Sequence, residues 1–474
     1  MTLALRLAGF GVASTIVDPL GPEIDPGSKA LLMAGEALEI LERVGVGRTI
    51  AKRGVRLAAG RTFVRDRELA TVRFSHTGSG FPPVLNFPQA ETERLLLARV
   101  EREPLVETLW GSALVEVEQN GGGVTAHLEG EGGARTMTAL YLAGCDGVRS
   151  AARKGLGVRF AGHGFDDHFL ITDVRADLPF PRNERRFLFD PPFNPGRTVL
   201  VHPQPDGCWH IDWQIGEALD AEEERRSGRL DARLRSLVGE TPYDLLWVTS
   251  YRFLQLIAER FRVGRAFLLG DAAHVYSPYG ARGLNSGLAD AENLAWKLWL
   301  VLSGAAPARL LETYEAERRA AALENLRITA RTARFMAPPS RARRVFRDAV
   351  LATAARVPPT RRFVNSGRFY QPHVYADSPI VAVGAGGMAP DAARSGGGFV
   401  ALLTLPPGAS AGTGAEVADR AARAGLPVRL ALAGDSRGRL LLVRPDGHIA
   451  SEHHFAHPSE LDGLDRWLRA AVGD

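Results

Sequence analysis

The sequence predicts an α/β fold of several domains, in which apolar strands end in acidic residues and lead into helices. Residues 13–17 read as a buried strand that ends at Asp18 and follows a helical pattern at residues 2–8. Two later apolar strands end near Asp146 and Asp271, and each leads into another helical pattern. This arrangement is typical of nucleotide-binding α/β proteins, because helix N-termini hold phosphates and strand-end carboxylates hold ribose hydroxyls.

Length and composition narrow the possible classes of protein. A chain of 474 residues is too long for one hydrophobic core, so we expect two or three domains. The 58 Lys and Arg residues against 54 Asp and Glu residues leave a net charge of only +4, which does not favour a nucleic-acid partner. Cys145 and Cys208 lack metal-binding spacing, and the apolar runs are too short to span a membrane. We therefore expect a cytoplasmic protein without a metal centre or a membrane partner.

The N-terminal helix, strand and Asp18 correspond to the second half of a dinucleotide-binding βαβ unit. The acidic residue of that unit normally follows the glycine fingerprint by about 20 residues. The first strand and the G-x-G-x-x-G loop would then precede Met1. We expect that the chain begins just after the phosphate-binding loop, through a misplaced start or trimming.

Two further helices follow in the N-terminal region. Residues 28–30 open a helical region that contains residues 36–43, and Gly45 ends it. Gln89 precedes a helix at residues 90–103, where its amide either contacts a ligand or caps the helix. Residues 113–143 read as a β-meander that feeds the strand before Asp146-Gly147 and a short helix.

Residues 159–255 carry five strand-like runs, which predict a separate antiparallel sheet. The run at residues 209–214 alternates, with Trp209, Ile211 and Trp213 on one face and polar side chains on the other. That polar face either lines a substrate pocket or faces solvent. The candidate pocket residues of this region and of the following loop are His202, His210, Asp212, Gln214, Tyr276 and Tyr279.

The stretch from Phe267 to Asn285 is a second ligand-binding candidate. An apolar strand ends at Gly270-Asp271, a loop containing Pro278 follows, and a helix begins near Gly283. Exposed N–H groups and the helix dipole at such a start favour an anionic or polar ligand, although a capped core helix is the alternative.

These motifs in this order resemble the FAD-dependent aromatic hydroxylases, the single-component flavoprotein monooxygenases of the p-hydroxybenzoate hydroxylase type. The similarity covers residues 1–330, and it includes Cys145-Asp146-Gly147, Gly270-Asp271 and the run from Gly283 to Asn285. The motifs at residues 190–193, 204–207 and 281–285 are most similar to the phenol and 3-(3-hydroxyphenyl)propionate hydroxylase branch.

The resemblance implies roles for individual residues. Asp18 would bind the adenosine ribose, Lys29 would lie near the pyrophosphate where the family usually has Arg, and Asp271 would hold the ribityl hydroxyls. The full set of implied FAD-binding residues is Asp18, Lys29, Gln89, Asp146, Gly147, Arg149, Gly270, Asp271, Pro278, Gly283, Leu284 and Asn285. The candidates for the catalytic pocket are His210, Asp212 and Tyr276.

The resemblance also implies a domain order. Residues 1–158 and 256–310 would form a Rossmann-like FAD-binding domain, and residues 159–255 an inserted substrate-binding sheet. A helical region at 311–370 would precede a thioredoxin-like domain at 377–474, which lacks cysteine and so has no dithiol chemistry. In the helical region, Phe346 and Val350 have the spacing of a packed amphipathic helix, and these helices could form a homodimer face.

The implied activity is hydroxylation of a small phenolic substrate. NADH or NADPH would reduce FAD, O₂ would add to give a flavin hydroperoxide, and one oxygen atom would pass to the aromatic ring. Two alternatives remain: another FAD oxidoreductase of the same fold, such as a reductase, halogenase or Baeyer–Villiger enzyme, and an FAD-deficient protein without catalysis.

Overall fold

The computed structural model combines helices with several small sheets and one large sheet. It describes residues 1–25, 27, 30–75, 80–216, 219–336, 338, 340–357, 359, 370–390, 394, 397–405, 428–434, 438–455 and 464–473. No helix in these ranges has the length and hydropathy needed to cross a membrane.

The N-terminal region alternates helices with short strands. Its elements are α1 Thr2–Gly9, β1 Ser14–Asp18, β2 Leu32–Ala34, α2 Gly35–Arg43, α3 Gly47–Arg53, β3 Val55–Arg56, β4 Ala59–Val64, β5 Arg67–Arg73, β6 Val84–Asn86, α4 Gln89–Val100, β7 Val106–Trp110, β8 Ser112–Gln119, β9 Val124–Gly130, β10 Arg135–Ala139, β11 Leu142–Gly144 and α5 Ala151–Gly155.

The central region is rich in strands. Its elements are β12 Phe160–Ala176, β13 Glu184–Phe189, β14 Thr198–Pro203, β15 Cys208–Ile215, α6 Ala221–Arg226, α7 Arg229–Val238, β16 Tyr243–Ala258, β17 Arg262–Val263, β18 Ala266–Leu268 and β19 His274–Val275.

Long helices and a small sheet complete the chain. These elements are α8 Gly283–Leu302, α9 Glu312–Met336, α10 Arg341–Arg356, β20 Phe399–Leu405, β21 Val428–Gly434, β22 Gly438–Val443, β23 Ile449–Phe455 and α11 Leu464–Ala470.

The predicted helix and strand before Asp18 are confirmed as α1 and β1. β1 pairs in parallel with β7, and β11 pairs in parallel with β18, so that Gly144 lies opposite Leu268. The β-meander is also confirmed, because β8, β9 and β10 form one antiparallel sheet.

The helical region expected from residues 28–30 is wrong in its first part. Leu32 to Ala34 form a strand that pairs with β6, and the helix begins only at Gly35. Leu32 and Met33 are 4% and 0% exposed. A short run of buried apolar residues has no periodicity that distinguishes a strand from a helix, so neighbouring strands decide between them.

The large central sheet has eight strands in the order β19-β16-β12-β15-β14-β13-β4-β5. One face packs against α6 and α7 through a core that includes Trp209, Ile211 and Trp213. The sheet is antiparallel except that β13 pairs in parallel with β4, and it recruits β4 and β5 from a distant part of the chain. The antiparallel sheet predicted from residues 159–255 is confirmed, because the five strands of that region all pair antiparallel with their neighbours in it. The addition of β4 and β5 was not predicted, because a sequence pattern does not show which distant strands become neighbours.

Helix α8 is the central helix of the fold. It contacts α1, α2 and α9, and Trp296 and Leu300 on it share a core with Phe399 and Leu440 of the C-terminal sheet. That sheet has the order β21-β20-β22-β23, with β20 parallel to β21 and antiparallel to β22. The hairpin predicted around residues 445–447 is confirmed, since β22 and β23 pair across it.

Helix α10 presents a different face from the predicted one. Phe346 is 67% exposed, whereas Leu351 is 2% exposed and packs with Met336. The prediction that Phe346 belongs to the packed face is therefore wrong. Apolar residues at several phases of one helix allow more than one buried face, and the neighbouring chain selects it.

Candidate active site

Two strand ends, those of β11 and β18, lie side by side. The Leu269 N–H donates to the Gly144 carbonyl at 3.0 Å, so the turns that contain Asp146 and Asp271 lie side by side. Asp146 and Arg149 are exposed there, and the Asp146 carboxylate accepts a hydrogen bond from the Ala152 N–H at 2.9 Å. The two turns that the resemblance assigns to one site are therefore neighbours in the fold.

Arg153 connects the two turns through hydrogen bonds to their backbones. Its guanidinium donates to the Ala272 carbonyl at 3.1 Å and to the Val148 carbonyl at 2.9 Å, and it lies 3.9 Å from the centre of the Phe160 ring. Because Arg153 is only 5% exposed, these bonds form in a poorly hydrated environment. Arg153 therefore holds the backbone that presents Asp146 and Asp271.

The backbone conformation of Gly270 favours glycine. Its φ of 55° lies in the left-handed region, whereas a Cβ added to it would meet the Gly287 Cα of α8 only at an ordinary contact distance of 3.9 Å. The Gly270 N–H donates to the buried Asp290 carboxylate of α8 at 2.9 Å. This bond holds the neighbouring, exposed Asp271 next to α8.

Asp290 is the buried anion that supports this loop. Burial acts to raise its pKa, but His274 at 2.7 Å and Arg318 at 2.6 Å hold that pKa below its ordinary value. The carboxylate thus stays ionised and accepts hydrogen bonds from both side chains and from the loop backbone.

The start of α8 is open to a ligand. No side chain caps the helix at Arg282, so its first N–H groups are not used by a cap. The preceding loop is tightly turned, with φ of 96° at Gly280 and 52° at Ala281, and Pro278 is exposed on it. Uncapped N–H groups at a helix start can bind the carbonyl oxygens or phosphates of a cofactor.

Asn285 ties the start of α8 to β2. Its amide accepts a hydrogen bond from the Ala34 N–H at 2.8 Å and donates to the carbonyls of Leu32 at 3.0 Å and Ala281 at 2.6 Å. The side chain is therefore fully used in shaping the site, while the backbone at Gly283 and Leu284 remains half-exposed.

The remaining predicted cofactor residues have simpler surroundings. Asp18 accepts a hydrogen bond from the Leu20 N–H at 2.9 Å. Burial lowers the pKa of the nearby Met1 amino group, and the charges of Cys145 and Asp18 partly offset this effect. Gln89 begins α4 and donates to Glu93 at 2.7 Å. Lys29 lies outside the described residues.

A buried polar cluster lies on the second face of the central sheet. We call it the histidine–aspartate array; it consists of Asp173, His202, Gln204, His210 and Asp212. His210 Nδ1 lies 2.7 Å from Asp173 and His210 Nε2 lies 3.2 Å from Asp212, while Gln204 donates to Asp173 at 2.9 Å. His202 Nε2 lies 3.8 Å from Asp212. His202 and His210 are 7% and 2% exposed, which excludes the alternative of a solvent face.

The two imidazoles of the array differ in charge. Burial acts to lower the pKa of His210, but Asp212 and Asp173 together raise it to about 10. Burial lowers the pKa of His202 to about 3; the positive charges of Arg185 and His210 add to this effect, and the negative charge of Asp212 opposes it. At neutral pH, His210 is an imidazolium and His202 is a neutral imidazole.

The strands that carry the array contact the N-terminal region of the chain. The Asn86 side chain on β6 donates to the carbonyl of Pro203, the residue after His202, at 2.9 Å. β6 pairs with β2, which Asn285 holds, so this chain of contacts runs from the start of α8 to the array. Trp247, which lies opposite Asp173 on β16, contacts Gly27 of the same region.

Two buried polar atoms at this junction lack hydrogen-bond partners among the described residues. They are Nδ1 of His202 and Oδ1 of Asn86. Leaving a buried polar atom unpaired costs free energy, and such atoms in native proteins call for a ligand or water.

Tyr276 occupies a different environment from His210 and Asp212. It stacks on His274 with ring centres 4.8 Å apart, and its hydroxyl lies 3.3 Å from that of Ser286. Burial raises the pKa of its phenol, and the charge of Asp290 adds to this effect.

Sequence reasoning omitted Asp173, Asp290 and Asn86 from the candidate residues. Asp173 lies in a strand-like run whose partner strands were unknown, and Asp290 lies within a helix that was considered only at its start. The spacing of Asp290, which is seven residues after Gly283, was the available signal, because it places the side chain on the same face two turns later.

Residues 1–329 match the protein family described as "FAD binding domain". The chain is 33% identical over 339 residues to a flavin-dependent monooxygenase of Mycobacteroides abscessus, an alignment that covers 67% of this chain and 68% of the relative. It is 31% identical over 373 residues to a 3-(3-hydroxy-phenyl)propionate/3-hydroxycinnamic acid hydroxylase of Mycobacterium sp. strain KMS. That alignment covers 78% of this chain but only 63% of the hydroxylase.

Among solved structures, the fold is similar to the flavin-dependent monooxygenase PieE in complex with FAD and substrate. The TM-score is 0.82, the alignment covers 99% of this chain and 96% of PieE, and the identity is 20%. At this identity the likeness concerns the fold.

Proposed function

This chain belongs to the flavin-dependent monooxygenases that carry the FAD-binding domain, and on that premise we propose that it hydroxylates a phenolic aromatic substrate with NADH or NADPH and O₂. Its family makes it an oxidoreductase with FAD as the cofactor. The phenolic substrate is supported by the 31% identity to the hydroxyphenylpropionate hydroxylase and by the chemistry of the histidine–aspartate array.

The residues at the strand-end edge fit FAD. In this proposal the exposed Asp271 carboxylate binds ribityl hydroxyls, and the uncapped N–H groups near Gly283 and Leu284 bind the oxygens of the flavin ring. Asp18 would accept hydrogen bonds from the adenosine ribose, and Asp146-Gly147 would complete the same edge. Bound FAD, once reduced, supplies from O₂ the electrophilic oxygen atom that the aromatic ring takes up.

The observation that carries the phenolic assignment is the burial of the histidine–aspartate array on the sheet whose strand β14 contacts β6, the partner of β2. Its acceptors, Asp212 and the neutral His202, suit a substrate that bears a hydroxyl group. The aromatic and aliphatic side chains on the same sheet face, Phe169, Ile171 and Leu200, suit the ring itself and exclude water from it.

A direct test uses the purified full chain. A yellow protein with bound FAD, whose oxidation of NADH or NADPH accelerates with 3-(3-hydroxyphenyl)propionate or phenol and gives a product one oxygen atom heavier, is the expected result. Nucleotide oxidation that yields peroxide without any oxygenated aromatic product would contradict the proposal.

A further inference from the structure

We propose that His202 is the residue that accepts the hydroxyl proton of the phenolic substrate, with Nδ1 as the accepting atom, and that Asp212 and His210 position it. This inference rests on the proposed function and adds the identity and the timing of the proton acceptor. It selects one residue from the pocket candidates of the sequence, which left the proton acceptor open.

His210 cannot accept a proton at neutral pH. Its Nδ1 lies 2.7 Å from Asp173 and its Nε2 lies 3.2 Å from Asp212, so both ring nitrogens face carboxylates. These two carboxylates keep the ring protonated, with a pKa of about 10, and an imidazolium has no free lone pair. His210 therefore acts as a fixed cation that orients Asp212.

His202 has the complementary properties. The charged groups near it are Asp212 and His210 on β15 and Arg185 on β13, and the neutral Asn86 of β6 donates to the backbone carbonyl of the next residue, Pro203. Because the Asp212 carboxylate lies on the Nε2 side, it favours the tautomer with the proton on Nε2. The lone pair is then on Nδ1, a buried atom that has no hydrogen-bond partner in the described part of the chain.

The low basicity of His202 sets the timing of the proton transfer. His202 Nδ1 is buried without a hydrogen-bond partner in the described part of the chain, and burial disfavours the imidazolium form, so Nδ1 would accept the O–H of a phenol that binds in its neutral form. The hydroxyl becomes strongly acidic only when the ring begins to bond to an electrophilic oxygen atom. A weak base is sufficient at that stage.

The atoms and electrons balance as follows. The reduced cofactor and O₂ would supply the oxygen atom as a hydroxyl group that acts as a two-electron oxidant. A π pair of the ring forms the new C–O bond at a carbon ortho or para to the hydroxyl, while the bond that held this hydroxyl group breaks and its electron pair leaves with the donor. The O–H bonding pair of the substrate becomes the second bond of a carbonyl, and the proton moves to Nδ1. The ring hydrogen at the attacked carbon then leaves as a proton and restores aromaticity, while the carbonyl oxygen takes the proton back from Nδ1. The product is a diol, and His202 is regenerated as a neutral imidazole.

The first readout is the ionisation of a bound chromogenic phenol, which is independent of turnover. 4-Nitrophenol is titrated with the FAD-loaded wild-type protein at a pH where the free ligand is partly ionised. We expect the phenolate band to decrease on binding, since the bound form is neutral. Growth of the phenolate band on binding, or no binding, would overturn the inference.

The second readout separates hydrogen bonding from proton acceptance. In H202Q the amide oxygen can still accept the hydroxyl hydrogen bond but cannot take the proton. We expect 4-nitrophenol affinity within about threefold of wild type, and the rate of hydroxylated-product formation at saturating substrate to fall about 100-fold, the usual contribution of a general base. H127Q, on the β8–β9 hairpin, is the matched control and should leave both values unchanged.

The outcomes distinguish the two proposals. A wild-type protein that makes no oxygenated product from 3-(3-hydroxyphenyl)propionate or from phenol contradicts the proposed function. A wild-type protein that hydroxylates, together with a folded H202Q that hydroxylates equally well, contradicts only the role of His202. Unchanged thermal unfolding and FAD absorbance of H202Q would show that the variant is folded.

Discussion

Replacing Glu317 with Gln should destabilise the junction between α9 and the C-terminal sheet. Glu317 accepts hydrogen bonds from Arg444 at 2.6 and 2.8 Å and from Lys297 at 2.8 Å, and all three side chains are 0% exposed. Asp446 is the second buried carboxylate, 2.5 Å from Arg444. The buried group thus holds two positive and two negative charges.

The magnitude follows from the charge that remains. In E317Q, Arg444 and Lys297 share only the Asp446 carboxylate, and breaking a buried ion pair from one side costs about 3–5 kcal/mol. Burial already lowers the pKa of Lys297 to about 8 against the charge of Glu317, so without Glu317 this lysine can lose its proton and limit the cost. We therefore expect E317Q to lose about 3 kcal/mol of unfolding free energy at pH 7. The loss should be smaller at pH 9, because Lys297 of the folded variant is then neutral and needs no carboxylate partner.

The assay is urea unfolding followed by tryptophan fluorescence, since Trp296 donates to Asp446 at 3.1 Å within this group. The change in midpoint, multiplied by the measured slope, gives the free-energy difference. The matched control is the double variant K297M/E317Q, which removes one charge of each sign and should recover most of the loss. If E317Q lies within about 1 kcal/mol of wild type, or if the double variant is as unstable as the single one, the reasoning is refuted.

Three further predictions concern the active site. Asp212 and Asp173 raise the pKa of His210 to about 10, so the stabilisation given by the protonated ring is full below the ordinary pKa of histidine and disappears as pH rises through 10. The urea midpoints of wild type and H210Q should therefore converge as pH rises. A constant difference between them from pH 7 to 10 would contradict this prediction. N285A loses three hydrogen bonds and should weaken FAD binding about tenfold in a fluorescence titration, whereas unchanged affinity would argue against a shaping role. G270A, at a φ of 55°, should cost about 1–2 kcal/mol in thermal unfolding, while G121A at an open position should not, and equal effects would reject the backbone argument.

The strand ends were predictable from the sequence because their signal is local. An apolar run, an acidic residue and a helix start follow one another along the chain at Asp18, Asp146 and Asp271, so no knowledge of distant contacts is needed. The alternation of Trp209, Ile211 and Trp213 was equally readable, since neighbouring residues of a strand face opposite sides.

The composition of the histidine–aspartate array was not readable. Asp173, His202 and His210 come from three strands, and only the register that pairs His210 with both Asp173 and His202 brings them together. Burial of this polar face depends on the domain packed against it, which a strand pattern does not report. The sequence left both His202 and His210 as candidates, because a choice between them needs the distances of each ring to Asp212 and Asp173.

The parallel pairing of β4 with β13 has a consequence for synthesis of the chain. Glu184, the first residue of β13, is translated 120 residues after Val64, the last residue of β4. At roughly 5–20 residues per second, the β4–β5 hairpin waits about 6–24 s on the ribosome with one edge unpaired. Arg61, Arg67 and Arg73 place positive charge along this hairpin, and such charge discourages edge-to-edge aggregation between nascent chains. Slow, cool expression or abundant chaperones should therefore favour recovery of folded protein, whereas the central sheet expressed as an excised fragment from residue 159 would lack two of its strands.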